Sequence, residues 1–277
     1  MYISKSTRLH QEGRAPYISY PLLEKTGMVR HGFSTRLGGV SSGQFASMNL
    51  SFKQGDDPEK VLENFRIMAD TLGFDLEKAV MSDQTHTTNV RLMTAEDMGK
   101  GILKEKTYQD VDGMITNVPG LVLVTSYADC VPLFFVDPVH KAIGLSHSGW
   151  RGTVGRMGEV TVKAMTRAFG SRPEDMIAAV GPSICKDCYE VSEDVADAFK
   201  AAFSAEVCGK ILTEKGGGKF QLDLWEANRQ ILLSAGILPD HIAVTDICTR
   251  CHSDLLWSHR ATGGKRGGLA AFLSLLP

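Results

Sequence analysis

Hydrophobic positions along the chain alternate between two periods. Val61, Leu62, Phe65, Met68, Ala69 and Leu72 recur at helical spacing, which lines one face of a helix with apolar side chains. Asp57 followed by Pro58 supplies an N-cap and a proline at the first helical position, and Gly73 stops the run. Three more stretches read as helices: 153–169 before Gly170, 192–205, and 223–235 before Gly236. Short apolar runs lie between them, at 121–126, 131–136, 142–147, 176–180 and 242–246, with a further strand over Val90–Met93. Strands come both as adjacent pairs and separated by helices, which predicts a mixed sheet rather than strict βαβ alternation. The glycine-rich stretches 213–220 and 261–268 read as surface loops. No repeat or long linker breaks the pattern, so a single domain is expected over residues 1–277.

Composition narrows the partners. At 43% hydrophobic and 22% charged residues, the 277-residue chain has the material for a sizeable core and not the character of a disordered one. Thirty basic residues against 32 acidic give a net charge of -2, so no global field favours nucleic acid. No apolar run approaches the ~20 residues that span a bilayer, and no membrane partner is expected. The first residues lack the apolar core of a secretory signal. Six cysteines in this length fall short of a disulfide scaffold. A cytoplasmic protein with reduced thiols is the expectation.

The densest chemistry lies between residues 126 and 152. Two apolar runs there are joined by Asp137, Pro138, Val139 and His140, a hairpin-length turn. A four-residue loop at these positions pairs Val136 with Lys141 and sets Cys130 opposite His147 on one face. A slip of one residue would put them on opposite faces. Such a pair can be a buried thiol beside a satisfied histidine, a thiolate nucleophile with His147 as base, or two ligands of a metal. A metal needs more ligands. His86 stands out among the other histidines because DQTHTTNV is rich in polar groups, although spacing alone does not select it. Three protein ligands with an open fourth position form the pattern of catalytic zinc.

After His147 the chain turns through Gly149 and Gly152 and enters a helix near Thr153. A helix N-terminus suits a phosphate or carboxylate, and Arg151 could add a bidentate fork. A glycine turn with a surface arginine fits the same letters. Arg250, Arg260, Lys265 and Arg266 surround a later glycine-rich turn, either as a solvated loop or as a cleft wall for an anion. Cys185 and Cys188, and again Cys248 and Cys251, form two C-x-x-C pairs with structural-zinc spacing. The two pairs lie much farther apart than the about 15–20 residues usual for such sites. They read either as ligands that meet in space around a second metal or as reduced thiols.

Several segments together resemble a known family: HGFSTRLGGVS (31–41), MNLS (48–51), DQTHT (83–87), DGMIT (112–116), YADCVPL (127–133), HSGWRG (147–152), GPSIC with CYEV (181–191), and SHRATGGKRGGLAAF (258–272). They are similar to the YlmD/YfiH family, labelled multicopper polyphenol oxidase or laccase-like and regarded as zinc-dependent purine nucleoside phosphorylases. The resemblance covers residues 29–273, with the motifs in the family's order. It implies a single-domain α+β fold with mixed sheets sandwiched between helical layers (α/β/β/α). It places the family's zinc triad on His86, Cys130 and His147. The implied activities are phosphorolysis of adenosine, inosine, guanosine and methylthioadenosine, with adenosine deamination. The purine nucleoside and phosphate would be the partners and Zn2+ the cofactor, with Cu2+ as a second metal that His-Cys-His accepts. Arg36, Asn49, Gln84, Asp129 and Arg151 sit in the matching motifs as candidate substrate-site residues. In the catalytic role the expectation names Cys130, His147 and Asp129, with Asp112 a further candidate for proton transfer. One departure is visible. The family usually carries Tyr-Arg where this chain has His259-Arg260, and that histidine could add a ligand, act as a base, or pack.

The chemistry constrains these expectations. A zinc ion that lowers the pKa of its water to near 7 could serve deamination, but the zinc-deaminase signature H-x-E…P-C-x-x-C is absent. Multicopper oxidation needs a separate histidine-rich cluster, and the eight histidines are few and scattered. A thiol hydrolase or amidase using Cys130 and His147 is the reading from another class, and the resemblance implies peptidoglycan precursors as its substrates. A zinc protein that only binds a partner is a third.

Overall fold

The computed structural model describes residues 5–277. Two six-stranded sheets pack face to face. The first runs in the spatial order Arg8–His10, Tyr17–Ser19, Val29–Ser34, Leu269–Leu275, Val122–Tyr127 and Ala79–Met81. The second runs Ile242–Val244, Ile177–Val180, Val131–Asp137, Ala142–Ser148, Gly113–Thr116 and Val90–Leu92. Both are mixed. Ala79–Met81 is parallel to Val122–Tyr127, Val90–Leu92 to Gly113–Thr116, and Ile177–Val180 to Ile242–Val244, while the other pairs are antiparallel. Among the described residues no helix is long and apolar enough to cross a membrane.

Strand sequence and layer order explain one another. Val131–Asp137 is buried at every position, as a strand covered on both faces must be, and its run reads continuously apolar instead of alternating. Phe134 and Val136 point to the layer between the sheets, beside Leu123, Leu273 and Phe33 of the first sheet. Val131, Leu133 and Phe135 point the other way, to Val162, Phe199 and Leu232 on helices Met157–Phe169, Glu193–Ala202 and Leu224–Ser234. The outer face of the first sheet, including Val124 and Phe272, is covered by Val61, Phe65 and Met68 of helix Pro58–Leu72. The layers therefore run helix, sheet, sheet, helix, an α+β architecture.

Helix Pro58–Leu72 matches its sequence signals: the Asp57 carboxylate accepts from the Glu59 amide, and Gly73 closes the helix at φ 70°. Other boundaries differ from expectation. The helix expected over 153–169 is two, Trp150–Val154 and Met157–Phe169, broken at Gly155 and at Arg156, whose φ is 58°. The stretch 192–205 likewise divides into Glu193–Ala202 and Ala205–Ile211. The expected loop 213–220 is mostly a hairpin of Leu212–Gly216 and Lys219–Leu222, since Gly216, Gly217 and Gly218 all take positive φ and make the turn. The expected strands otherwise fall within a residue or two of the observed ones. Leu269–Leu275 carried no strand signal, because Leu and Ala favour helices, yet it lies between Val29–Ser34 and Val122–Tyr127 in the first sheet.

The intersheet layer sets a stability test. Phe134 is wholly buried and packs against Tyr20, with ring centroids 5.3 Å apart. Phe134→Ala should lower the unfolding free energy by about 3–5 kcal/mol, read from urea denaturation. A loss under about 1 kcal/mol would contradict close packing between the sheets.

Candidate active site

The central hairpin delivers two of the three key side chains. His147 is the penultimate residue of strand Ala142–Ser148, and Cys130 immediately precedes Val131–Asp137. The register pairs Asp137 with Ala142 and Pro132 with His147. The turn is thus shifted from the expected loop, and Cys130 is diagonal to His147 rather than opposite it. A shift of two along the partner preserves the face, so the two side chains still meet; an odd shift would have parted them. His86 arrives from the other sheet's side, on the loop after Ala79–Met81, with φ 69°. One ligand atom from each of His86, Cys130 and His147 falls in a cluster within 4.8 Å of one another. The two imidazoles meet edge to face at 5.0 Å. Gly149 closes over them: a Cβ there would lie 3.1 Å from Cys130 Sγ and 3.2 Å from His86 Cδ2.

Asp112 holds this group in place. Its carboxylate is fully buried and accepts the His147 Nδ1–H at 2.8 Å. It also accepts the backbone amides of Thr85, His86 and Thr87 at 2.9, 3.2 and 3.0 Å. Burial pushes the Asp112 carboxyl up, but His147 and the amides outweigh it and leave it at about 2. Binding through Nδ1 leaves the His147 Nε2 facing the cluster, the carboxylate–histidine arrangement of metal sites. Burial also pushes the Cys130 thiol up, and His147 and His86 reverse this to about 6. The imidazole of His147 is held at about 9, because Cys130 and Asp112 overcome its desolvation. A thiolate and two imidazoles converging in this way fit a zinc ion, which His86, Cys130 and His147 would hold. Copper accepts the same donors.

The cluster lines one wall of a cavity of about 560 Å³. Lys53, Lys106, Arg151, Arg260 and Arg266 contribute to its lining, with aromatic faces from Phe52, Trp150 and Tyr189. Asp129 is the lining acid, and its carboxylate is already engaged by Thr249 Oγ1 at 2.6 Å and the Arg260 amide at 2.7 Å. The Arg266 Nε is buried without a hydrogen-bond partner. The cavity lining is therefore mainly cationic.

The model of the multi-copper polyphenol oxidoreductase laccase family matches residues 30–276. The chain belongs to this family. It is 39% identical to the purine nucleoside phosphorylase YlmD of Bacillus subtilis, over 88% of this chain and 87% of the relative. It is 36% identical to the adenosine deaminase RL5 of an unidentified prokaryote, over 85% of this chain and 90% of the relative. The crystal structure of the hypothetical protein YfiH of Bacillus licheniformis superposes with a TM-score of 0.90 at 33% identity, covering 96% of this chain and 98% of that one. The family's copper label meets a different donor inventory here. Among the described residues, the groups that could hold a metal are His86–Cys130–His147 and a set of four cysteines. Neither is the histidine-rich cluster that multicopper oxidation requires.

The other residues expected at the site divide. Gln84 and Arg151 line the cavity. Gln84 is pinned by Ser126, its amide bridging that residue's N–H at 2.7 Å and carbonyl at 2.8 Å, and Arg151 stacks on Trp150. Arg36 does not line it: the guanidinium lies 3.7 Å over the Trp257 ring and donates to the Ser253 carbonyl at 2.7 Å. Asn49 is buried in the fold, bonded to Asp56 and to the Gly268 amide. Neither is among the residues that line the cavity. Asp129, at φ 86°, lines the cavity next to Cys130 and accepts one hydrogen bond on each carboxylate oxygen, which leaves a lone pair on each. The helix after Gly149 has five residues, so the dipole at its N-terminus is that of little more than one turn. Of the late cationic cluster, Arg260 and Arg266 reach the cavity. His259 lines it too but stands outside the converging ligand group. Lys53, Lys106 and Tyr189 were not expected; no local spacing marks them, since they reach the cavity from separate segments.

Asp112→Asn keeps the shape of the hub and removes its charge. We expect zinc affinity to fall about 10–100-fold, measured by chelator competition, with the fold retained by circular dichroism. Unchanged affinity would show that Asp112 does not tune the ligands.

Proposed function

We propose that this protein is a zinc-dependent purine nucleoside phosphorylase with adenosine deamination as a second activity. The observation that carries the reading is the cavity itself: a His86–Cys130–His147 cluster facing a pocket lined by Lys53, Lys106, Arg151, Arg260 and Arg266. At about 560 Å³ it is of small-molecule size. Phosphorolysis needs a phosphate placed against C1′ of the ribose while the glycosidic C–N bond breaks and the purine leaves. Arg266 and Arg151 are the groups we assign to phosphate, as charge-assisted donors. Phe52, Trp150 and Tyr189 offer faces for the purine. His86, Cys130 and His147 would hold the zinc, which when bound supplies a Lewis acid and an activated water. The names of the relatives, a phosphorylase and a deaminase, agree with one site serving both reactions. Asp112 is filled by hydrogen bonds within the protein, whereas Asp129 lines the cavity with a lone pair left on each oxygen, so Asp129 is the carboxylate placed to exchange a proton.

The Cys130 thiol near 6 beside a His147 near 9 also describes a thiolate–imidazolium pair, which suits a thiol hydrolase. Zinc decides between the two, because a zinc-bound thiolate is a poor general nucleophile.

The test is zinc-loaded protein incubated with adenosine, with and without phosphate, and the products separated by chromatography. Adenine and ribose 1-phosphate should appear only with phosphate. Arg266→Ala should raise the KM for phosphate about tenfold or more, the value of one charge-assisted contact. No purine base or deaminated product from the zinc-loaded protein would overturn the proposal, and a protein that binds no zinc at Cys130 would favour the thiol hydrolase.

A further inference from the structure

The two C-x-x-C pairs, distant in sequence, meet in space. The Sγ atoms of Cys185, Cys188, Cys248 and Cys251 all lie within 4.8 Å of one another. Cys188 and Cys251 come to 3.4 Å, and all four are free thiols. A tetrahedral zinc with Zn–S bonds of about 2.3 Å has sulfur–sulfur edges of about 3.8 Å, within the range these atoms already span.

The backbone is arranged for the same end. The loop after Ile177–Val180 and the loop after Ile242–Val244 run side by side, joined by a parallel bridge between Ser183 and Cys248. Each C-x-x-C folds as a tight turn, closed by the Cys188 amide on the Cys185 carbonyl at 3.1 Å in one and by the His252 amide on the Cys248 carbonyl at 3.0 Å in the other. The amides of Cys185 and Cys251 both donate to Cys248 Sγ, at 3.3 and 3.4 Å. Amide donors aimed at a sulfur stabilise it as a thiolate, the form that binds metal. Four thiols crowded together otherwise keep their protons and gain little from proximity.

We propose that Cys185, Cys188, Cys248 and Cys251 bind a second, structural zinc ion. Four protein sulfurs fill the coordination shell and leave no open position, so the ion takes no substrate. Its task is to clamp two loops that together support the active site. The Ile184 amide bonds the Asp129 carbonyl at 3.0 Å, and Thr249 Oγ1 bonds the Asp129 carboxylate. Both contacts hold the residue immediately before Cys130, and Ile184 and Tyr189 of the first loop line the cavity. The clamp stands independently of the activity assigned to the cavity, because its ligands are none of the residues facing the substrate space.

Metal content tests it directly. The full chain, purified without chelator under reducing conditions, should carry two zinc ions per chain. The double variant Cys185→Ser/Cys251→Ser should carry one and unfold at a lower temperature. Should that variant fail to fold, Cys130→Ala gives the same answer without touching the four cysteines. It should retain one zinc, and after cobalt exchange its spectrum should show the intense sulfur-to-metal charge transfer of a tetrathiolate. One zinc in the wild type with none in Cys130→Ala would overturn the proposal. So would iron bound at the four cysteines, or a Cys188–Cys251 disulfide in the reduced preparation. None of these outcomes depends on whether adenosine is turned over.

Discussion

A single buried carboxylate organises the functional end of this molecule. Asp112 accepts three consecutive amides from the loop that carries His86 and the ring N–H of His147 from the central hairpin. Two ligands from distant parts of the chain are thereby fixed relative to each other before any metal arrives. A buried charge of this kind is tolerable only when its lone pairs are filled, and here they are. Removing a partner from such a site typically costs about 3–5 kcal/mol, so geometry at the cluster and stability of the fold are coupled through one side chain.

The layered fold makes that hub possible. The central hairpin sits between another sheet and a helical layer, buried along both strands. Its register is set by packing on two faces, and it brings Cys130 and His147 out together at one end. The first sheet sends its own loop with His86 to the same place. The strained backbone at His86 and Asp129, both at positive φ, lies on either side of the cluster, where the surrounding hydrogen bonds hold it. Preorganisation of this sort places the cost of orienting the ligands in folding rather than in catalysis.

Much of this was legible from the chain. Helix Pro58–Leu72 announced itself through its cap, its proline and its closing glycine, all local signals. Cys130 and His147 were brought together by alternation along a hairpin, and the inference survived a register error because the error was even. His86 came only from the resemblance of DQTHT to a family motif, since nothing in spacing joins it to residues on the other sheet. Arg36 and Asn49 lie in equally matching motifs, yet their hydrogen bonds run to other parts of the chain and neither lines the cavity; a motif records what a position requires without saying whether the requirement is structural. Gly39 in the same segment shows the structural kind, for a Cβ there would sit 2.3 Å from the Ser47 carbonyl. Leu269–Leu275, Lys53 and Lys106 are illegible for a common reason: strand partners and pocket walls are tertiary facts, and no local pattern marks these residues, whereas Arg151, Arg260 and Arg266 stand beside glycine turns that draw attention to them.

The family's copper label and the site's chemistry point apart. The described residues offer one mixed histidine–thiolate cluster on a cationic cavity, which suits zinc-assisted chemistry on a phosphate-dependent reaction better than electron transfer to oxygen. The most direct measurement is to strip zinc from the His86–Cys130–His147 cluster with a chelator and titrate it back while following adenine release from adenosine and phosphate. The account predicts that turnover falls to background on removal and returns in proportion to rebound zinc, with a plateau at one equivalent restored. Full turnover by protein whose cluster holds no zinc would contradict it.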